Sequence, residues 1–254
     1  MSFDVDTAWL MTVFLVTIRL GVLFFATPFD GIGHLPVQIR VFITLALAVL
    51  MVGASGPGVR AMPASVPQLL SWGLREALIG LVMAFGLYCV VGAVMVAGKL
   101  IDFQAGYGAA EILNPATSSS SPLTGTVLSL LMVVVFFLSG AAHLALKGIA
   151  WSLQVSPPGG AFGTLPLDAI VKQFGITFLY GFVIAAPVIG VLLLLETGLA
   201  VMGRSMPQLN VYFLFLPLKI GVALALTAVS VRYLSPVFER LFTVTLRYWQ
   251  HSLA

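Results

Sequence analysis

The chain has 254 residues, of which 60% are hydrophobic and only 8% are charged, and its mean hydropathy is +1.09. Soluble domains carry about 25% charged residues, so this composition excludes an ordinary water-facing surface and indicates an integral membrane protein. The formal net charge is +3, but the twelve Lys and Arg residues are scattered singly, and a nucleic-acid partner is therefore not expected. We predict a single membrane domain over residues 1–254, in contact with the lipid bilayer.

Six apolar runs dominate the chain. A membrane-spanning helix needs about 20 mostly apolar residues, and we predict a long helix from each run, which makes the fold class an all-α integral membrane protein. The runs cover residues 7–27, 35–55, 77–98, 123–146, 173–203 and 211–231. The second run is short, and Pro187 and Pro217 interrupt the last two. Because proline removes a helix hydrogen bond, a kink or a hinge is expected at each.

Two polar connections separate the runs. The exposed linker at residues 154–167 contains two prolines followed by two glycines. The loop at residues 104–122 contains Gly106, Gly108, Asn114-Pro115 and four serines. Irregular backbone at membrane depth survives only inside protein or along a water-filled cavity. The loop is therefore either an aqueous connector, which the residues alone favour, or a plug that lines a pore.

Several ionisable residues lie within or beside the apolar runs. A charge at the bilayer centre costs at least about 2.5 kcal/mol, so these residues indicate either an ion relay or structural salt bridges. They are Arg19, Lys99, Asp102, Glu111, Glu196, Arg204 and Lys219. Lys99 and Asp102 are three positions apart and can pair on one helix face. No acidic residue lies in the middle of a run, which argues against a proton-coupled transporter.

Small residues recur in the third run. They are Gly80, Ala84, Gly86, Gly92 and Gly98. Because small side chains let helices approach closely, we expect this helix to pack tightly, either within the chain or against partner subunits.

Signatures of catalysis and metal binding are absent from the sequence. The three histidines are far apart, Cys89 is the only cysteine, and no phosphate-binding loop or nucleophile motif is present. We therefore expect no catalytic residues, no cofactor, no metal and no enzymatic activity. A membrane enzyme would need a clustered polar site that the sequence does not show.

One segment carries a family resemblance. The run from Met206 to Phe213 reads MPQLNVYF and is followed by LPLKI from Leu216, a pattern that resembles the flagellar biosynthesis FliR/SctT family of type III export-gate subunits. The resembling positions are Pro207, Gln208, Leu209, Asn210, Pro217 and Lys219. Three further stretches agree in order along nearly the whole chain, around Gln104 to Asn114-Pro115, Phe136 to His143, and Ala186 to Val188.

The resemblance implies a multi-pass subunit of the bacterial inner membrane, built from helical hairpins and located in the flagellar basal body. It implies assembly with FliP-like and FliQ-like subunits, contact with an FlhB-like subunit, and passage of unfolded flagellar subunits through the gate. The equivalent injectisome subunit is the nearest alternative, and a small-molecule or ion transporter is a more distant one.

The resemblance also assigns a pore plug to the polar loop, which favours the plug over the connector. The implied plug residues are Gly106, Tyr107, Gly108, Asn114, Pro115, Ser118, Ser119, Ser120, Ser121 and Pro122. It further suggests that Arg19, Glu196 and Lys219 pair across subunit contacts.

Overall fold

A computed structural model describes residues 7–26, 36–55, 62–107, 122–160, 166–205 and 211–253. Within these ranges every regular element is an α-helix, which confirms the predicted all-α class. The seven helices are α1 (Thr7–Phe25), α2 (Val37–Ser55), α3 (Val66–Ala105), α4 (Leu123–Leu138), α5 (Ala141–Val155), α6 (Leu167–Ser205) and α7 (Val211–Leu253).

The apolar runs predict the helices but not their lengths. Helices α1 and α2 fall within the first two runs, whereas α3, α6 and α7 have 40, 39 and 43 residues. At about 1.5 Å per residue each of these is about 60 Å long, roughly twice the thickness of the hydrocarbon core of a bilayer. Among the described residues, five helices are long and apolar enough to cross a membrane, or six if α4 and α5 together form one broken span.

The fourth run, residues 123–146, contains two helices rather than one. Helix α4 ends at Leu138; the N–H of the next residue, Ser139, donates to the carbonyl of Val135 at 2.8 Å, and α5 begins after Gly140. Gly140 has φ +77°, a left-handed conformation that glycine adopts at little cost. This conformation separates the two helices, and the hydropathy of the sequence does not reveal it.

The internal prolines do not end their helices. Helix α6 continues through Pro187, and α7 continues through Pro217 and Pro236. The interruption expected in the sixth run is therefore not a break in the described helix.

The described helices contribute to two compact units. The first unit comprises Met1–Val90, Gly140–Phe174 and Phe242–Ala254, and the second comprises Val91–Ser139 and Gly175–Leu241. Helices α3, α6 and α7 each supply residues to both units. The assignment of a single membrane domain remains a prediction.

The first unit is held together by close contacts at glycines of α3. A Cβ atom on Gly80 would lie 2.5 Å from the carbonyl oxygen of Arg19, and one on Gly86 would lie 3.0 Å from Nε1 of Trp249. The room beside Gly86 lets the buried Trp249 donate from Nε1 to the carbonyl of Met83 at 3.0 Å. The tight packing predicted for the third run is thus confirmed within the chain.

In the second unit, glycine likewise allows α3 and α4 to pack closely. A Cβ atom on Gly98 would overlap the backbone of Gly125, so α3 and α4 can meet here only with glycine at position 98, whereas a Cβ on Gly125 would lie 2.7 Å from Cγ of Pro122. Gly181 of α6 lies against Val96 in a similar way, where an added Cβ would be 2.8 Å from Cγ1 of the valine.

Candidate functional site: the loop base and two ion-pair clusters

Arg19 of α1 and Glu76 of α3 form an ion pair in the first unit. Nε and Nη2 of Arg19 lie 2.7 Å and 2.6 Å from Oε2 of Glu76, and both side chains are 0% exposed. The remaining nitrogen, Nη1, donates to Oγ of Ser152 at 3.1 Å, and Nη2 also donates to the carbonyl of Ser156 at 2.7 Å. Every nitrogen of the guanidinium group therefore has a hydrogen-bond acceptor.

Arg75 completes this cluster from the partly exposed side. Its Nη1 lies 3.1 Å from Oε1 of Glu76 and 3.0 Å from the carbonyl of Pro157, and its Nη2 donates to Oγ of Ser156 at 2.5 Å. Gly160 lies close by, because a Cβ atom there would be 3.2 Å from Nη2 of Arg75. The cluster joins α1, α3 and α5 to the turn that follows α5.

The geometry of this cluster favours a structural role over an ion relay. Both oxygens of Glu76 and the whole guanidinium of Arg19 are engaged, and a relay needs a group that can exchange its proton with water. Arg19 was predicted from the sequence as a charge that needs a partner, whereas Glu76 was not, because it lies one residue before the predicted run at 77–98. The sequence held one signal for such a partner. Arg19 lies inside an apolar run, and a charge there is usually paired with an opposite charge.

Asp102 closes the base of the polar loop in the second unit. Its two carboxylate oxygens lie 3.2 Å from the backbone N–H of Thr124, and its Oδ1 also accepts a hydrogen bond from the hydroxyl of Thr124. Thr124 is the second residue of α4. The first N–H groups of a helix lack partners within the helix and carry partial positive charge. Asp102 therefore caps α4 from the neighbouring helix α3.

The two ends of the polar loop are fixed by this contact and by the glycine pair. The close approach of Gly98 to Gly125 brings α3 and α4 together one turn before Asp102 on α3 and directly after Thr124 on α4. Helix α3 ends at Ala105; the following Gly106 has φ +86°, and Tyr107 donates its N–H to the carbonyl of Asp102 at 3.1 Å. This is the hydrogen-bond pattern of a helix ended by glycine.

Only three of the predicted plug residues lie in the described part of the chain. Gly106 ends α3, and Pro122 precedes α4 with extended backbone. Burial raises the pKa of Tyr107, and the nearby Asp102 carboxylate raises it further, so this hydroxyl is neutral at pH 7. The others, Gly108, Asn114, Pro115 and Ser118 to Ser121, lie outside the described residues, and their assignment remains a prediction.

The predicted pairing of Lys99 with Asp102 is not formed. Lys99 is exposed, whereas Asp102 is buried and turned to Thr124. Positions three apart on a helix lie about 60° apart around its axis, so a pair was geometrically possible. The Asp102 carboxylate instead bonds to Thr124 of α4, while the Lys99 side chain is exposed. The backbone N–H and hydroxyl of Thr124, rather than the predicted Lys99 ammonium, are the partners of the Asp102 carboxylate.

Glu196 forms the third cluster, also in the second unit. Its Oε1 lies 3.2 Å from Nζ of Lys219 on α7, and its Oε2 accepts a hydrogen bond from Nε2 of Gln104 on α3 at 2.7 Å. The Lys219 side chain is only 8% exposed, whereas that of Glu196 is 48% exposed. The buried lysine thus finds its carboxylate within the chain, beside a cleft lined by Leu199, Gly203 and Phe215.

The resemblance motif is described only in part. Pro207 to Asn210 lie outside the described residues, while Pro217 and Lys219 lie on α7. Arg204, in the last turn of α6, is exposed, a position where a cation interacts favourably with the helix C-terminus.

Comparison with known proteins gives the chain its family. The sequence profile of the family described as bacterial export proteins, family 1, matches residues 10–245. The chain belongs to this family. The matched residues include all three polar clusters.

Named relatives of this bacterial export protein come from two systems. Flagellar biosynthetic protein FliR of Bacillus subtilis (strain 168) is 32% identical to it, over 94% of this chain and 93% of its own length. Flagellar biosynthetic protein FliR of Escherichia coli (strain K12) is 26% identical, over 93% and 90%. Yop proteins translocation protein T of Yersinia pestis is 30% identical, over 76% and 74%.

Proposed function

We propose that this chain is a subunit of the flagellar type III protein-export gate, located in the bacterial inner membrane at the flagellar basal body. The similarity to FliR of Bacillus subtilis along 94% of the chain carries the proposal. The five or six apolar helices suit a multi-pass membrane subunit. In this role the chain forms part of the channel for unfolded flagellar subunits, together with FliP-like, FliQ-like and FlhB-like subunits.

The polar loop at residues 104–122 is the proposed plug of the channel. The base formed by Asp102, Thr124, Gly98 and Gly125 supports this role, because it fixes both ends of the loop on two packed helices. Small polar residues and glycines suit a plug, since they bind passing chains weakly and permit many backbone conformations.

A deletion within the loop tests the plug. Removing residues 116–121 leaves the base intact, so we expect the gate to assemble normally and to leak ions or small solutes. Leak is measured in membrane vesicles that contain the assembled gate, with wild-type vesicles as the control. A gate that assembles normally and stays sealed would rule out the plug.

The function itself is tested by removing the chain from cells. We expect loss of flagellar subunit export and of motility, both restored by a plasmid-borne copy of the gene. Export of flagellar subunits that continues without the chain would refute the proposal. Loss of virulence-effector secretion, with motility intact, would instead identify the injectisome subunit that the similarity to translocation protein T makes the second candidate.

The proposed subunit is not an enzyme, and it acts through channel geometry rather than through bond chemistry. The polar clusters support this proposal, because the groups of Arg19, Glu76 and Asp102 are engaged in hydrogen bonds that join helices. A transporter would instead show saturable uptake of a solute by the purified single chain in vesicles, which we do not expect.

A further inference from the structure

The end of α7, residues 242–253, lies in the first unit together with helices from much earlier in the chain. We call it the C-terminal segment. Its Arg247 and His251 side chains are exposed. Its buried side chains recur at the three- and four-residue spacing of one helix face, and each is at most 6% exposed: Phe242, Thr245, Tyr248 and Trp249.

A slot between α3 and α5 holds the indole ring of Trp249. A Cβ atom on Gly86 of α3 would lie 3.0 Å from Nε1 of the indole, and one on Gly148 of α5 would lie 2.8 Å from its Cε3. The ring therefore fills space that a side chain at either glycine would otherwise occupy. Glycine at both positions makes room for one large aromatic side chain.

Hydrogen bonds fix the C-terminal segment in this slot. Nε1 of Trp249 donates to the carbonyl of Met83 at 3.0 Å, and the hydroxyl of Tyr248 donates to the carbonyl of Val82 at 3.1 Å. Buried Trp and Tyr side chains usually need such an acceptor, and two consecutive carbonyls of α3 supply both. The segment therefore has one specific seat on α3 rather than a general apolar contact.

The C-terminal segment is synthesised last, although its slot is synthesised early. The helices that form the slot belong to the parts of the first unit at Met1–Val90 and Gly140–Phe174. Domains generally fold as units during synthesis, beginning with the N-terminal one. The first unit departs from that order, because part of its buried interior comes from the end of the chain.

We propose that the C-terminal segment is a closing element: the slot beside Gly86 and Gly148 stays open on the growing chain, and the first unit closes only when synthesis is complete. A chain that lacks the segment then exposes an apolar slot, which distinguishes it from a finished subunit. The closing element acts within this chain alone and does not depend on other gate subunits.

Cys89 is a natural reporter for the slot. It is the only cysteine in the sequence, it lies on α3 one turn after Gly86, and it is 4% exposed. It also interacts electrostatically with Tyr248 of the C-terminal segment. The rate at which a thiol probe labels Cys89 therefore measures whether the segment covers this part of α3.

Substitutions in the full-length chain test the closing contact. We expect a membrane-permeant maleimide to label Cys89 at least tenfold faster in Trp249→Ala than in the wild type, because the slot opens. Gly148→Leu, which fills the slot from α5, is expected to do the same, and Trp249→Phe to give an intermediate rate. Tyr233→Ala is the matched control, since Tyr233 lies on the same helix but is 68% exposed. Equal labelling of Trp249→Ala and the wild type would overturn the proposal.

Circular dichroism separates local opening from general unfolding. We expect Trp249→Ala and Gly148→Leu to keep nearly all of the wild-type helical signal, since only the last turns of α7 are released. If fast labelling appears only together with loss of most of that signal, the segment is a general stabilising element, and the proposal of a closing element is overturned.

Chains held on the ribosome test the order of events. The full chain is fused after residue 254 to a translation-arrest sequence, through a short flexible linker that keeps the C-terminal segment inside the ribosome or a long one that releases it. We expect fast labelling of Cys89 with the short linker and wild-type protection with the long one, whereas Trp249→Ala is labelled fast with both. Protection of Cys89 with the short linker would show that the first unit closes without the segment, and would refute the closing element.

The closing element and the proposed function fail independently. Neither the labelling rates nor the arrested chains require another gate subunit, so a refuted closing element leaves the export-gate function standing. A chain that proves dispensable for flagellar export can still contain the closing element.

Discussion

Arg19 and Glu76 lie 57 positions apart in the chain, yet Nη2 of the arginine is 2.6 Å from Oε2 of the glutamate and neither side chain is exposed. Replacing only one residue of such a buried ion pair lowers the stability of a protein strongly. Removing Glu76 leaves the buried Arg19 charge without a carboxylate, and removing Arg19 leaves Glu76 with Arg75 alone. Loss of one partner of a buried pair costs about 3–5 kcal/mol, whereas replacing both by apolar residues is often close to neutral.

We therefore expect Arg19→Met and Glu76→Leu each to lower the melting temperature of the purified chain in detergent strongly. The double variant is expected to be more stable than either single variant, because neither Arg19 nor Glu76 is then left as a buried charge without the other; Arg75 keeps its bonds to Ser156 and Pro157. Lys172→Met, at an exposed pair, is the control and is expected to have little effect. Additive losses in the double variant would show that the two side chains do not act as a pair.

The contact between Gly98 and Gly125 gives a second prediction. We expect Gly98→Ala to destabilise the chain, because the added Cβ overlaps the backbone of the facing helix and cannot be relieved by a side-chain rotation. Gly190→Ala is the matched control. A Cβ there meets nothing within 4 Å, so the variant is expected to stabilise its helix by roughly 1 kcal/mol.

Thermal unfolding of the two glycine variants in the same detergent checks the prediction. Equal stability of Gly98→Ala and Gly190→Ala would contradict the close packing of α3 on α4.

The cap formed by Asp102 gives a third prediction. Asp102→Ala removes the acceptor for the N–H of Thr124, and loss of such a cap costs about 1 kcal/mol. We expect the first turn of α4 to exchange its amide hydrogens faster, as measured by hydrogen exchange with mass spectrometry. Asp168→Ala, on the exposed first turn of α6, is the control and is expected to leave α4 unchanged. Unaltered exchange in α4 after Asp102→Ala would exclude the cap.

Lys219 and Glu196 give a fourth prediction, which concerns the assembled gate. We expect Lys219→Ala to reduce gate assembly and motility, because it removes the contact of α7 with Glu196 of α6. Reversing both charges, with Glu196→Lys and Lys219→Glu, keeps opposite charges together and is expected to restore part of the loss, while Glu196→Lys alone is expected to be worse than Lys219→Ala. Unchanged assembly and motility in Lys219→Ala would contradict a role for this pair.

The sequence identified charged residues that need a partner, but it did not identify the partners. Arg19 and Lys219 stand in apolar runs, so a carboxylate near each was expected. The hypothesis from the resemblance placed these contacts between subunits, whereas the structure provides Glu76 and Glu196 within the chain. Single-sequence patterns cannot resolve this point, because the partners lie on other helices and their proximity depends on tertiary packing.

Local patterns had the same limit at the loop base. The spacing of Lys99 and Asp102 predicted a pair on one helix, but the N-terminus of α4 offers Asp102 an N–H and a hydroxyl from Thr124. The glycines of the third run predicted close packing correctly, yet nothing in the sequence selected Gly125 as the facing residue. The turn at Gly140 was not predicted either, because it lies inside an apolar run whose hydropathy does not change there.

The most direct test of the proposed function is native mass spectrometry of the tagged chain, purified from its own membranes under conditions that preserve multi-subunit gates. We predict one large complex that contains FliP-like and FliQ-like subunits encoded with flagellar genes. A chain recovered only as a monomer or as a homo-oligomer would contradict the export-gate function.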